Sequence, residues 1–171
     1  MVASVSVFYE FEEVDAFTTG AIGQPGDRTF FLQARQGRRR VAVKCEKQQV
    51  SAIVQYLQRV LSDLPPPEDK PMAGALELAT PIEEVFVLGP IGLGYDRSSD
   101  KMIVQLEEVG AYDEEGEPIE GRDGHIRVYV TRAQAAAFCE HAERVVAAGR
   151  PDCQWCGLPI DPDGHPCPRM N

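Results

Sequence analysis

Residues 40–61, RVAVKCEKQQVSAIVQYLQRVL, carry two hydrophobic periods back to back. Over Arg40–Cys45 apolar and polar side chains alternate, the period of a half-buried strand. Beyond them Val50, Ile53, Val54, Leu57, Val60 and Leu61 fall three and four apart, as one face of a helix requires. The stretch predicts a strand running into a helix over about Glu46–Leu61. Pro65-Pro66-Pro67 then stops the helix and begins a stiff connector.

The same grammar returns downstream. His125–Val130 alternates, and a helix is predicted over Thr131–Ala148 with its ends visible. Thr131 with Gln134 three residues on reads as a capping box. Gly149 suits the left-handed position after the last turn, and Pro151 forbids continuation. Shifting the first unit by 85 residues lays Val41, Val43 and Cys45 on Ile126, Val128 and Val130. It also lays Ile53, Leu57, Val60 and Leu61 on Phe138, Ala142, Val145 and Val146. Upstream, Gly20-x-Ile22-Gly23 matches Gly89-x-Ile91-Gly92 at an offset of 69. The offset grows by 85 − 69 = 16 residues, about the length of the loop between Leu106 and Gly124.

Further strands are expected over residues 5–17, Arg28–Arg35, Glu83–Leu88 and Lys101–Val109, with turns at Gly20–Asp27, Gln36–Arg38 and Asp96–Asp100 and a break at Gly89–Gly92. The expected class is α+β: two β-β-β-α pseudo-repeats forming a largely antiparallel sheet region with two helices, plus a small C-terminal zinc knuckle. The expected division is 1–64 for the first repeat and 65–80 for the connector. The second repeat, with an acidic loop at 107–123, spans 81–149, and the zinc-binding tail spans 150–171.

At 171 residues, 43% hydrophobic and 26% charged, the chain can bury a core of its own. Its 27 acids against 17 bases leave a formal charge of −10, which argues against a general nucleic-acid coat. No apolar run approaches the roughly 18 residues of a membrane helix. The opening MVASVSVFYEFEEV has neither the basic start nor the cleavage site of a signal peptide, so the expected location is the cytoplasm.

Five cysteines is an odd number, and three fall within the last nineteen residues. That pattern suits metal binding better than a disulfide framework. Cys45 and Cys139 lie in apolar-patterned segments and read as small buried hydrophobes. The tail, CQWCGLPIDPDGHPC over 153–167, spaces Cys153, Cys156, His165 and Cys167 as C-x2-C, eight residues, then H-x-C. Four ligands of Cys3His type satisfy tetrahedral zinc. Such a closed set leaves no position for substrate, so the expected cofactor is a structural Zn2+. A thioredoxin-like redox pair is the rival, but that motif opens a helix, and Pro159 with its neighbouring turn residues opposes one. Trp155 either packs the knuckle onto the body or stands as an exposed partner anchor; aromatic burial favours packing.

Other constellations are weaker. Arg38, Arg39 and Arg40, near Arg35 and Lys44, make a basic hairpin within residues 1–50, which carry 7 − 6 = +1 net charge against −11 for the rest. It reads as solvated turn charge, or as a site for phosphate or an acidic partner. Gln24 and Arg28 sit in a turn that lacks a phosphate-loop pattern, yet Arg28 could point into a small cleft beside Gln24. The loop 107–123 holds eight acids and one base, without calcium-loop spacing. His125, Cys139 and His141 form no nucleophile–base pair.

GAIGQPGDRTFFLQA (20–34), Glu46-Lys47, Gln49-Val50, the Thr131–Gly149 helix and CQWCGLPIDPDGHPCPRMN (153–171) resemble a bacterial conserved-hypothetical family, the domain of unknown function 3090 family. The likeness covers essentially the whole chain. It implies a cytoplasmic bacterial protein with a zinc-ribbon-like C-terminal element, and it supplies no activity. The leading functional expectation is a non-enzymatic binding or adaptor protein with a protein partner and no membrane. One alternative is an enzyme or small-molecule binder with a cleft near Gln24 and Arg28 for a phosphorylated ligand. A weaker one is nucleic-acid binding through Arg38–Arg40 and the zinc knuckle.

Overall fold

The alternation over Arg40–Cys45 is one wall of the core. Val41, Val43 and Cys45 point inward and are buried, and Lys44 is exposed. The computed structural model describes residues 8–24, 26–68, 71, 73–121, 123–148, 153–158, 160 and 166–169. In chain order the elements are β1 (Phe8–Phe11), β2 (Ala16–Ile22), β3 (Thr29–Gln36), β4 (Arg39–Cys45) and α1 (Lys47–Ser62). A short 3-10 turn (Ala73–Leu76) follows, then β5 (Glu84–Asp96), β6 (Lys101–Glu108), β7 (His125–Thr131) and α2 (Arg132–Ala147).

All seven strands join one sheet in the order β1-β7-β6-β5-β4-β3-β2. Only the β4–β5 and β1–β7 pairs are parallel, so the sheet is mostly antiparallel and the fold is α+β. Three strands, β5–β7, precede α2 as expected, but four, β1–β4, precede α1, the extra one being β1. The 85-residue offset carries α1 onto α2 at both ends, since 47 + 85 = 132 and 62 + 85 = 147. The insertion is divided between two places. Offsets run from 69 at the Gly20–Gly89 match inside β2 and β5 to 72 at β6 (101 − 29), and reach 85 at the helices, after the β6–β7 loop.

The N-terminus departs from expectation. Residues 5–17 do not make one strand: β1 ends at Phe11 and β2 begins at Ala16, at opposite edges of the sheet. Six interstrand steps of ~4.8 Å would separate those edges by ~29 Å in a flat sheet. The five residue steps from Phe11 to Ala16 reach only ~17 Å. The sheet therefore curls toward the helices, and Phe11 and Val14 lie in the same core cluster as Ile53, Leu57 and Phe138. Arg39 secures the closure: its guanidinium lies 4.7 Å from the Phe11 ring centroid and donates to the Glu10 carbonyl at 3.0 Å.

Both helices fill the concave face. Phe138 of α2 stacks on Phe17 of β2 at 4.8 Å, and α2 covers the free edge of β2. There His141 Nε2 donates to the Thr19 carbonyl at 2.9 Å, and Gln134 Nε2 to that of Val14 at 2.7 Å. Gln134 also completes the expected cap: its amide donates to Thr131 Oγ1 at 3.1 Å, and its Oε1 accepts from the Thr131 amide at 2.9 Å. Gly149 and Pro151 lie outside the described residues.

Gly89 and Pro90 do not break β5. The strand runs through them with its register shifted between Leu88 and Ile91. A bulge tolerates the missing proline donor. Gln49 Nε2 on α1 supplies the carbonyls of Leu88 and Gly89 at 3.2 and 3.0 Å.

Residues 75–81 cross the outer face of β2–β4, held by polar side chains of the strands. Gln33 is 1% exposed and clasps Ala79 at two points, accepting from its amide at 2.8 Å and donating to its carbonyl at 3.0 Å. Thr18 Oγ1 donates to the Leu76 carbonyl, Arg35 to that of Ala75 and Arg40 to that of Pro81. Gly20 leaves the room: a Cβ there would sit 2.5 Å from Leu78 Cγ.

Replacing Gln33 by Leu strands the Ala79 amide and carbonyl. The expected loss is ~1–3 kcal/mol in urea unfolding, with earlier proteolytic cutting in 65–80 than in wild type. Thr131→Ala removes a single cap and should cost ~1 kcal/mol by the same measurement, with the connector's cutting unchanged.

Candidate metal centre

Two turns bring the tail cysteines together. The Cys153 amide donates to the Leu158 carbonyl at 2.8 Å and the Gly157 amide to the Cys153 carbonyl at 2.9 Å, closing a tight loop around Cys156. Gly157 takes a φ of +74°, the left-handed conformation that a Cβ disfavours. The Trp155 amide points at Cys153 Sγ, 3.5 Å away. Cys167 enters from the other side, its Sγ 3.8 Å from that of Cys153.

The three sulfurs lie within 4.8 Å of one another, and no other group of three or more ligand side chains converges so among the described residues. A tetrahedral site with metal–sulfur bonds of ~2.3 Å has sulfur–sulfur edges of ~3.8 Å. The Cys153–Cys167 separation matches that edge and is far longer than a disulfide bond of ~2.05 Å. Three cysteines so placed could hold a metal ion. The expected fourth ligand, His165, lies outside the described residues.

The electrostatics of the loop favour one thiolate. The Trp155 and Cys156 amides pull the Cys153 thiol below the ordinary thiol range. For Cys156 the Leu158 amide pulls down, but covering by the loop and the neighbouring Cys153 and Cys167 thiols outweigh it, so the net shift is up. Cys153 is 6% exposed, but its cover is this thin loop rather than a deep core. Cys45 and Cys139 contrast with it. Both are buried in the apolar core, which pushes each thiol up to about 12; adjacent Glu46, and Glu143 with Glu140, add to the effect.

Trp155 does not pack. It is 63% exposed, and Leu158 beside it is 52% exposed, so the loop presents an apolar tip. Cys153 and Cys156 turn in toward Cys167, and the two residues between them, Gln154 and Trp155, are left exposed.

The remaining candidates are dispersed. Arg28 reaches α2, donating to the Val145 carbonyl at 2.8 Å while covering the Phe30 ring at 4.8 Å. Gln24 lies in the β2–β3 turn, its carbonyl accepting from the Asp27 amide at 2.8 Å. In the basic hairpin, Arg39 is engaged with β1, and Arg40 with Pro81 and, at 3.3 Å, with Glu83. Arg38 is the exposed turn residue after Gly37. The acidic loop contains an ordered hairpin, with Tyr112 bridged to Pro118 and Asp113 Oδ1 accepting from the Glu115 and Glu117 amides.

One polar cleft has no forerunner in the sequence reading. It encloses about 470 Å3 between Pro65–Pro67, Ser99, Asp100 and Arg132. Tyr95 donates to Asp100 at 2.5 Å, and Arg132 pairs with Asp100 at 2.9 Å and donates to the Pro65 carbonyl. The Tyr95 hydroxyl, helped by Arg132, lowers the Asp100 carboxyl, and Tyr95 is raised in turn by that bond. Residues 96–100 read as a turn in sequence; the signal for more is Asp100, a non-glycine at φ +55°. These groups satisfy one another and tie the connector to the start of α2.

Among the described residues no helix is long and apolar enough to cross a membrane. No curated protein and no solved structure matches the chain. A family model described as "Protein of unknown function (DUF3090)" matches residues 9–167, which take in all of the sheet but Phe8, both helices and all three tail cysteines, and the chain belongs to that family.

Proposed function

We propose that this chain is a non-enzymatic binding or adaptor protein whose tail folds around one structural Zn2+. The ligands are Cys153, Cys156, Cys167 and His165. The supporting observation is the convergence of three sulfurs within 4.8 Å at an edge length suited to tetrahedral coordination. His165, two residues before Cys167 in sequence, supplies the fourth ligand of a Cys3His set. Two thiolates, a third and an imidazole leave no open coordination position, so the ion's work is to fold the tail. The tail is a separable module, and the exposed Trp155 and Leu158 on its tip are anchors for a protein partner.

Elemental mass spectrometry on purified, untagged protein should find about one zinc per chain. Cys156→Ser should bring that well below half while the cooperative unfolding of the sheet is kept. Stoichiometric zinc in the variant, or no metal in the wild type, overturns the reading.

Thiol titration checks it independently. After chelation, three thiols should react with an aromatic disulfide reagent under native conditions, and Cys45 and Cys139 should react only in denaturant. Three fast thiols before chelation would mean that the tail carries no metal.

A further inference from the structure

A second exposed apolar surface among the described residues lies at the base of the acidic hairpin, and it has a floor and walls of different chemistry. Val87, Val109, Ile119 and Tyr112 are 43%, 37%, 46% and 66% exposed, half of the large hydrophobics the described residues leave in solvent. They are contiguous along the backbone: the Val109 amide donates to the Val87 carbonyl at 2.8 Å, and the Tyr112 ring lies 3.7 Å from the Cβ position of Gly110. Val85, Val87 and Val109 floor a groove of about 350 Å3 that Glu84 and Glu108 flank. Residues 107–121 hold seven acids and no Lys, Arg or His.

The platform is built rather than floppy. The Glu108 amide donates to the Gly124 carbonyl at 2.8 Å, and Glu108 Oε2 accepts from the Gly124 amide at 3.1 Å. On the β5 side a Cβ at Gly89 would sit 2.7 Å from Val109 Cα, so the bulge in β5 lets the base of the hairpin seat against it. Asp113 holds the tip by accepting two backbone amides.

The carboxylates do not converge as a metal site demands: the three-cysteine group alone meets that test among the described residues. An anionic nucleic acid or membrane would be repelled. What fits a valine floor between carboxylate walls is a side chain with an aliphatic stem and a cationic head, and lysine and arginine have both. We infer that the groove formed by Val85, Val87 and Val109 under the 109–121 hairpin docks an extended, Lys/Arg-bearing segment of a partner protein. The stems cover the valines, and the heads meet Glu84, Glu108 and the hairpin acids. The inference rests on the adaptor reading but needs no metal. Exposed ion pairs are individually weak, so the apolar floor supplies the affinity and the acids supply speed and selectivity.

The probe is a fluorescein-labelled synthetic peptide of alternating lysine and valine, titrated by anisotropy into the full chain at about 50 mM salt and again at about 300 mM. Saturable binding is expected, with a Kd of about 1–100 μM, weakened at least ~5-fold by the added salt. Glu114→Lys/Glu115→Lys/Glu117→Lys should weaken it at least ~10-fold, because it reverses the field at the groove and leaves Asp113 in place. Glu12→Lys/Glu13→Lys/Glu68→Lys, an equal charge change elsewhere, should weaken it less than ~3-fold. Val87→Ser/Val109→Ser should lower affinity with the charge untouched. A peptide of alternating glutamate and valine should not bind.

Absence of binding, equal loss in the two triple variants, or indifference to the valine substitutions overturns the inference. So does self-association of the protein that the hairpin variant abolishes, since the occupant would then be a second copy. The titration is repeated after chelation. Peptide binding without tail zinc sinks the metal reading alone, and stoichiometric zinc without peptide binding sinks this one alone.

Discussion

The structure depends on a chain-length constraint. β1 and β2 are consecutive in sequence and sit at opposite edges of a seven-stranded sheet, joined by only residues 12–15. A short link between distant edges can be met only by bending the sheet, and the bend decides most of the remaining architecture. It makes a concave face deep enough for two helices, so that α1 and α2 share one core with every strand. It also brings the β3–β4 hairpin against β1. That is why Arg39 is found over Phe11 rather than in solvent. Once the sheet curls, β2 needs cover along its free edge, and α2 supplies it through His141 and Gln134.

β1 shows how the fold balances its two halves. β5 lies parallel to β4, after the crossover through α1. β1 lies parallel to β7 in the equivalent seat beside the second half. The N-terminal strand fills that seat, and among the described residues no strand follows α2. The two three-strand-plus-helix units thus become one continuous sheet with a shared core, and the polar clasps of Gln33, Arg35 and Arg40 on the connector hold the join from outside.

What could be read from sequence was what is local. The strand–helix units announce themselves by period, the second helix by its Thr131–Gln134 cap, and the three-cysteine cluster by the spacing of Cys153, Cys156 and Cys167. What could not be read is settled by partners far away along the chain. Residues 8–11 look like the start of a longer strand, because nothing local says that they pair with 125–128. Gly89-Pro90 looks like a break, because the donor that makes a bulge tolerable is Gln49, 40 residues earlier. Trp155 looks like a packing residue by composition, and only the convergence of Cys153 and Cys156 on Cys167, 11 residues beyond Cys156, shows the loop on whose exposed side it stands. Gln33 looks like a polar position on an alternating strand. Its near-total burial becomes intelligible only with Ala79, 46 residues away, in place.

The same distinction bears on where function lies. The stretch Gly20–Ala34 is among the most distinctive in the sequence and invites a ligand site, yet the structure gives it internal work. Gly20 clears space for Leu78, and Gly23 and Gly26 turn the chain at φ of +111° and +93°. Arg28 holds the last turn of α2, and Gln33 clasps the connector. The Gln33 carboxamide is bonded at both its oxygen and its nitrogen to Ala79, and diverting it would cost about what those bonds contribute to the fold. The surfaces with unspent chemistry are the cysteine loop with its exposed Trp155 and Leu158, and the acidic hairpin with its valine floor. The hairpin lies between β6 and β7, and the cysteine loop follows α2 in sequence. The proposed binding role draws on that arrangement: a scaffold that uses its polar groups on itself, and recognition surfaces built from what is left over.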